Sequence, residues 1–168
     1  LAICTAQSLG KITGLTEQLL ELYTLGTIAD LAPLTGVNRR WLKRGLRKLP
    51  QSKLMGIQAL MQMAGVSEEQ KQLKPDDIGF RLGPRINAIG RIGDPQIIIE
   101  LLTTEEDGIA LERAMQCEQV NRQRQELCEQ IETEAIAYIE TTQIPWQENR
   151  VLVAVSYTHL RAHETEAD

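Results

Sequence analysis

The residues best suited to chemistry lie in a Gly/Arg-rich run over residues 77–91. The run contains three arginines, one asparagine and three glycines: Arg81, Arg85, Arg91, Asn87, Gly79, Gly83 and Gly90. A guanidinium group donates paired hydrogen bonds to phosphate oxygens, and glycine lets the backbone come close to a ligand. This combination is typical of a surface that grips a phosphodiester backbone. Glycines also serve ordinary turns, and we expect tight turns at Gly83 and Gly90.

A second charged feature is a basic stretch that precedes this run. No acid interrupts the chain between Asp30 and Glu68, and seven cations lie there: Arg39, Arg40, Lys43, Arg44, Arg47, Lys48 and Lys53. A solvated helix face is the ordinary interpretation of such a charge run. A nucleic-acid-facing surface is the alternative, because phosphate neutralisation requires clustered cations. The later part of the chain is acidic, so any binding of nucleic acid is expected on one side only.

The elements that must position these residues are predicted to be helices. Apolar residues recur at helical spacing in four segments. The first runs from Thr16 to Asp30, and the second begins at an Asn38 cap and ends at Leu49. The third runs from Lys53 to Ala64, where Gly65 stops it, and the fourth begins at Asp94-Pro95 and ends at Leu102. Residues 67–70 form a capping-box pattern for a short helix. The polar stretch from Thr104 to about Thr142 predicts either a hairpin of two helices or one long helix with a shifted apolar face. Residues 150–154 indicate the start of a buried strand. The predicted fold class is mainly α.

The composition excludes several classes of protein. The 168 residues suffice for one domain core, and the low aromatic content of 4% favours helical packing. No apolar run reaches the roughly eighteen residues of a membrane span, and no secretory signal is evident. The three cysteines, Cys4, Cys117 and Cys128, are predicted to be buried free thiols in a reducing cytoplasm. Trp41 and Trp146 could stack on bases, but packing roles are expected.

Both ends of the sequence have unusual features. The chain begins at Leu1 inside an apolar-periodic segment, without Met. Residues 155–165 match a translated transposase sequencing adaptor, so we expect residues 155–168 to be a non-native tail. The only histidines, His159 and His163, fall in that tail. A zinc site with His-x-x-x-His spacing is therefore not predicted.

Two sequence motifs together resemble RecJ-type exonucleases, which are single-strand-DNA-specific members of the DHH phosphoesterase superfamily. The family order is matched by Leu25-Gly-Thr-Ile-Ala-Asp30, the basic helix, Leu82-Gly-Pro-Arg-Ile-Asn-Ala-Ile-Gly-Arg91 and Asn121-Arg-Gln-Arg-Gln-Glu126. The resemblance covers residues 1–154. Two motifs in the right order are far more specific than either motif alone.

The resemblance implies a 5′→3′ exonuclease that removes nucleotides from single-stranded DNA in repair and recombination, using Mn²⁺ or Mg²⁺. It implies that Asp30 is a catalytic metal ligand and that Arg85 is a catalytic arginine at the scissile phosphate. It also implies that DNA is contacted by Arg85, Asn87, Arg91, Gly83, Gly90 and Arg39. Carboxylates suit hard divalent cations, and arginines stabilise developing phosphate charge. The alternatives are an ordinary helix-end aspartate at Asp30 and salt bridges from the arginines to Asp76, Asp77 or Asp94.

The resemblance also divides the chain. Residues 1–35 would end the DHH catalytic domain, 36–103 would line its DNA groove, 104–145 would connect two lobes, and 146–154 would begin the DHH-associated domain. The chain would thus be the helical end of an α/β domain, a connector and the first strand of a second α/β domain. The family's other metal ligands, in Asp-x-Asp and Asp-His-His motifs, are expected before Leu1. One carboxylate cannot build a two-metal centre, so we expect this polypeptide to be inactive alone.

Two other functions remain open at the level of sequence. One is a DHH phosphodiesterase that acts on short oligonucleotides or cyclic dinucleotides. The other is a non-catalytic helical DNA-binding module that uses the Arg39–Lys53 face together with Arg85 and Arg91. In each case the expected location is the cytoplasm, with a nucleic-acid ligand and no membrane.

Overall fold

The computed structural model describes residues 16–66 and 73–142, and their regular structure is helical. The α-helices are α1 (Thr16–Ala29), α2 (Gly36–Lys48), α3 (Met55–Met63), α4 (Gly83–Ile92), α5 (Gln96–Thr103) and α6 (Asp107–Thr142). A 3-10 turn (Leu49–Gln51) follows α2, and a π-helical turn (Asp77–Leu82) leads into α4. The predicted mainly α fold class is confirmed. The predicted strand, the helix at residues 67–70, Cys4, Trp146 and both histidines lie outside the described residues.

One apolar core holds the helices together. The buried side chains recur at the three-to-four-residue spacing of a helix face and include Leu25, Leu42, Leu46, Ile57, Leu60, Ile78, Leu82, Ile89 and Leu101. Helix α6 packs on α3, α4 and α5, while α1 packs on α2 and α4. Small residues on α6, Ala110, Ala114 and Cys117, are fully buried and allow this close packing. Helix α4, which carries most of the Gly/Arg run, therefore lies between α1 and α6.

The long polar segment is a single helix. Helix α6 runs without a break from Asp107 to Thr142, so the hairpin alternative is wrong. Its first half contributes to the core, whereas its second half exposes Ile136 and Tyr138. The change of apolar phase in the sequence thus marks the point where the helix leaves the core. Among the described helices, none combines the length and the apolar composition that a bilayer crossing requires.

The predicted cap at Asn38 is wrong. Helix α2 begins at Gly36 with Thr35 in the N-cap position. The Asn38 side chain instead accepts a 2.8 Å hydrogen bond from the Tyr23 hydroxyl and donates to the Pro33 carbonyl. Because this amide is used in tertiary contacts, it does not cap its own helix. The stop at Gly65 is confirmed, since Gly65 has a φ of 61° just after α3.

The cysteine and tryptophan predictions have mixed outcomes. Cys117 is a buried free thiol, as expected, and burial raises its pKa to about 11. Cys128 is exposed, so its predicted burial is wrong; it lies on the part of α6 beyond the core. Trp41 has the expected packing role, with its ring 5.6 Å from that of Tyr23 in an edge-to-face contact.

Candidate metal and nucleic-acid site

Asp30 follows the last residue of α1 at a sharply terminated helix end. The Ala32 N–H donates to the Thr27 carbonyl at 3.0 Å and the Leu31 N–H to the Ile28 carbonyl at 3.1 Å. These two bonds form a Schellman motif, whose left-handed position is normally occupied by glycine. Here Leu31 occupies it, with a φ of 54°. A leucine in this conformation is disfavoured, so the surrounding contacts must hold the turn.

The Asp30 side chain is exposed and opens into a cavity of about 490 Å³, which we call the Asp30 recess. The same recess is lined by Asn87, Gly90 and Arg91 from α4. The structure therefore brings together the two motifs that the sequence singled out. Four of the predicted site residues share one concave surface.

Asn87 links the two motifs directly. Its side-chain Nδ2 donates a hydrogen bond of 2.9 Å to the carbonyl oxygen of Ala29, the residue before Asp30. Gly83, one turn earlier on α4, is buried against Ala29 as well. A Cβ atom at Gly83 would lie 3.3 Å from the Cα of Ala29. The absence of a side chain at Gly83 thus lets α4 approach the end of α1.

The predicted tight turns at Gly83 and Gly90 are wrong, since both glycines lie within α4. Gly90 is exposed, and a Cβ atom there would meet nothing within 4 Å. The Gly/Arg run is thus a π-helical turn followed by an α-helix. Such π-helical turns occur often at functional sites.

Arg91 is the most available cation of the Gly/Arg run. It is exposed on the last turn of α4, and within residues 16–66 and 73–142 no ion pair or side-chain hydrogen bond engages it. Its side chain lines the Asp30 recess. An unpaired guanidinium beside a concave surface is suited to a phosphate group.

Arg85 has a different environment. Its Nε lies 2.6 Å from Oε2 of Glu118 on α6, and both side chains are about 15% exposed (15% and 14%). The Arg85 Nε–H does not point at this oxygen, so the contact is an ion pair without an aligned hydrogen bond. The Arg85 Nη1 donates to the Arg81 carbonyl. Two of the three guanidinium nitrogens are thus engaged, and the predicted phosphate-binding role of Arg85 stays a prediction.

Glu118 is a residue that sequence reasoning missed. Besides Arg85 it pairs with Arg122 at 2.9 Å, one turn further along α6. In the sequence it is one acid among many on a polar helix, and nothing local distinguishes it. The predicted salt bridge between an arginine of the run and a nearby aspartate is formed by Arg81, whose Nη1 lies 3.8 Å from Asp77. The Arg81 Nη2 also donates a hydrogen bond to the Gly65 carbonyl.

A second cavity, of about 570 Å³, shares Asn87 and Arg91 with the Asp30 recess. Its wall includes Phe80, which is 79% exposed and is the only phenylalanine of the chain. Arg124 of α6 also lines it, and its guanidinium donates to the Asn121 side chain at 3.2 and 3.3 Å. Arg124 belongs to the Asn121–Glu126 motif of the sequence, but the sequence predicted no role for it.

The basic stretch lies on α2. Arg39, Arg40, Lys43 and Arg47 are exposed, and the described part of the chain offers them no ion-pair partner. Lys48 is paired with Glu17 at 2.5 Å, and this contact lowers the pKa of Glu17. Arg39 lines neither cavity. The structure therefore places the predicted Arg39 contact on a separate surface.

Asp30 fits a divalent cation as one oxygen ligand, because its carboxylate is exposed at a recess. Across the described ranges, no group of three or more His, Cys, Asp or Glu side chains could hold a metal ion. Asp30, the predicted metal ligand, is thus not part of such a group within the described ranges.

Comparisons with known proteins identify one family. No family model matches the chain. It is 35% identical over 126 residues to the single-stranded-DNA-specific exonuclease RecJ of Bacillus subtilis, covering 75% of this chain and 16% of that protein. The RecJ of Haemophilus influenzae is 38% identical over 137 residues, covering 81% of this chain and 23% of the relative.

Solved structures give the same result. The crystal structure of Thermus thermophilus RecJ in complex with Mg²⁺ superimposes with a TM-score of 0.65 at 32% identity, over 75% of this chain and 19% of that one. The Mn²⁺ complex of the same protein matches with the same TM-score and identity, over 18% of its chain. The chain spans about a fifth of the length of these relatives, and it matches them in both sequence and fold.

Proposed function

We propose that this chain, a segment of a RecJ-type single-stranded-DNA-specific exonuclease, forms one wall of the site that hydrolyses phosphodiester bonds of single-stranded DNA. One observation carries the proposal. Asp30 and Arg91, which come from separate motifs, line the same recess, so an oxygen ligand and a free guanidinium face one space.

Each residue has a chemical task in this proposal. The cofactor is Mn²⁺ or Mg²⁺, which would lower the pKa of bound water and neutralise charge on the scissile phosphate. Asp30 supplies one carboxylate ligand. Arg91 binds a phosphate oxygen of the strand and holds it at the recess. Arg85 presents its remaining nitrogen to the same strand, while Gly90 leaves room for the backbone of the DNA.

The wider biological role follows the same family assignment. We propose a 5′→3′ direction of digestion, a role in DNA repair and recombination, and a cytoplasmic location. Residues 1–35 belong to the catalytic domain, 36–103 line its groove, 104–145 connect the lobes and 146–154 begin the DHH-associated domain. The chain alone is expected to be inactive, because within its described part Asp30 does not belong to any group of three or more possible metal ligands.

Substitutions in the complete protein that contains this segment test the proposal. Asp30→Ala should abolish Mn²⁺-dependent digestion of a 5′-phosphorylated single-stranded oligonucleotide, with DNA affinity in EDTA kept within about twofold. Arg91→Ala should weaken DNA affinity by about tenfold, the effect of one lost charge-assisted contact. Normal turnover in Asp30→Ala would refute the metal assignment.

A matched control is Arg113→Ala. Arg113 is already neutralised by Glu100 at 2.7 Å and Glu112 at 3.0 Å, so its loss should leave DNA affinity unchanged. Equal losses of affinity in Arg91→Ala and Arg113→Ala would indicate general charge attraction and not a specific phosphate contact.

A specific observation favours a second candidate, a non-catalytic DNA-binding module. The free cations of α2 form an exposed basic face away from both cavities. If the complete protein binds single strands but digests none with either metal, this second function replaces the first.

A further inference from the structure

We infer that Asn87 is a positioning residue for the metal-ligating carboxylate of Asp30 and does not itself contact DNA. The inference rests on the proposed function. It departs from the expectation, based on resemblance, that every polar residue of the Gly-Pro-Arg-x-Asn-Ala-x-Gly-Arg motif faces the DNA. The 2.9 Å hydrogen bond from Asn87 Nδ2 to the Ala29 carbonyl is the central observation.

The peptide unit between Ala29 and Asp30 is held at both of its polar ends. Its N–H, which belongs to Asp30, donates to the Gly26 carbonyl at 2.9 Å. Its carbonyl, which belongs to Ala29, accepts the bond from Asn87. Because a peptide unit is planar and rigid, two such bonds fix the plane of this peptide and the position of the Asp30 Cα, from which the side chain projects.

The carbonyl of Ala29 needs a partner from outside α1. It lies in the last turn of the helix, where carbonyl oxygens have no intrahelical donor. Leu31, two residues further on, adopts a left-handed conformation that leucine disfavours. Without the bond from Asn87, this helix end would have an unpaired carbonyl two residues before a strained one. Both effects would loosen the position of Asp30.

Neighbouring packing supports the same role. The absence of a side chain at Gly83 brings α4 within contact of Ala29, so Asn87 reaches the carbonyl from one turn away. The Asn87 side chain is only partly exposed, whereas Arg91, one turn further, is exposed. The motif thus divides its tasks: Gly83 and Asn87 hold the end of α1, and Arg91 faces the ligand.

The test separates metal affinity from DNA affinity in the complete protein. Mn²⁺ binding is measured without DNA, by electron paramagnetic resonance of the free ion, and binding of a single-stranded oligonucleotide is measured in EDTA by fluorescence anisotropy. Asn87→Ala should weaken Mn²⁺ binding by about tenfold, as loss of a group that orients a metal ligand does. Its affinity for DNA should change by less than about twofold.

Gln58→Ala is the matched control. Gln58 also donates a side-chain amide hydrogen bond to a backbone carbonyl, that of Ser52 at 2.6 Å, but it touches neither motif. This variant should keep wild-type Mn²⁺ affinity. If it weakens Mn²⁺ binding as much as Asn87→Ala does, the effect is general destabilisation and the inference is wrong.

The remaining outcomes are also decisive. Unchanged Mn²⁺ affinity with weakened DNA binding in Asn87→Ala would make Asn87 a DNA contact and overturn the inference. If that variant does not fold by circular dichroism, Asn87→Leu, which keeps the size without the donor, is judged by the same two affinities. Asp30→Ala separates failure of this inference from failure of the proposed function. Unchanged Mn²⁺ affinity in Asp30→Ala would reject the metal-ligand role of Asp30 and therefore the proposed function itself.

Discussion

Arg85 of α4 and Glu118 of α6 form an ion pair with a nitrogen-to-oxygen distance of 2.6 Å. Both side chains are largely removed from water, so the pair is a structural link between the Gly/Arg segment and the long helix. Glu118 also accepts a contact from Arg122, which places two guanidinium groups on one carboxylate. The Arg85 charge is therefore balanced within the protein.

Glu118→Gln should lower the free energy of unfolding of the 168-residue chain by about 3 kcal/mol. The substitution leaves the guanidinium of Arg85 in a poorly solvated position without its counter-charge, and removing one partner of a buried pair is strongly destabilising. Urea unfolding followed by circular dichroism measures the change. The control is Glu126→Gln at an exposed position of the same helix, where a change within about 0.5 kcal/mol is expected. Equal changes in the two variants would contradict the structural role of the pair.

Gly56→Ala should separate α3 from α5. A Cβ atom at Gly56 would lie 1.8 Å from the carbonyl oxygen of Leu101, and this backbone cannot move away by a side-chain rotation. We expect a loss of about 3 kcal/mol in the free energy of unfolding, at the upper end of overpacking costs. Gly26→Ala in α1 is the control, because a Cβ there meets nothing within 4 Å and alanine is the better helix former. The prediction is wrong if both substitutions shift urea unfolding in the same direction.

Glu21 should make the chain less stable as the pH rises above about 4.5. Burial raises the pKa of this carboxyl above its ordinary value of 4.5, and the 2.6 Å hydrogen bond from the Ser52 hydroxyl opposes the shift only in part. Between 4.5 and the raised value, the unfolded chain has lost a proton that the folded chain still binds. The folded state is therefore penalised progressively across that window. Glu21→Gln should thus stabilise the chain at neutral pH, with a gain that shrinks as the pH falls toward 4.5.

The matched comparison for this prediction is Glu17→Gln on the same helix. Lys48 lowers the pKa of Glu17 in the folded chain. The Glu17 carboxylate therefore stabilises the fold at pH values above the pKa that it has in the unfolded chain, and this contribution disappears as the pH falls. The two variants should therefore have opposite signs at neutral pH in urea unfolding. A gain for Glu21→Gln that stays constant between pH 4 and pH 8 would show that proton linkage is not the cause.

Much of the fold follows from the sequence alone. The apolar spacing predicted the helices around Leu25, Leu46 and Leu60, and Gly65 marked a helix end correctly. These features depend on local periodicity and on backbone preferences, which neighbouring residues decide. The errors concern features that local residues do not decide. Asn38 bonds to Tyr23 instead of capping its helix, and Cys128 is exposed because α6 extends past the core.

The sequence by itself determined which residue types could bind a metal ion and phosphate, and in what order they occur. Only the tertiary structure decided which of them are available. Arg85 and Arg91 are equivalent by type, yet Arg85 is paired with Glu118 while Arg91 faces the Asp30 recess. The physical reason is that hydrogen bonds and close ion pairs form only where two groups lie about 3 to 4 Å apart in space, whatever their separation along the chain. The fold alone determines which distant residues come within that distance.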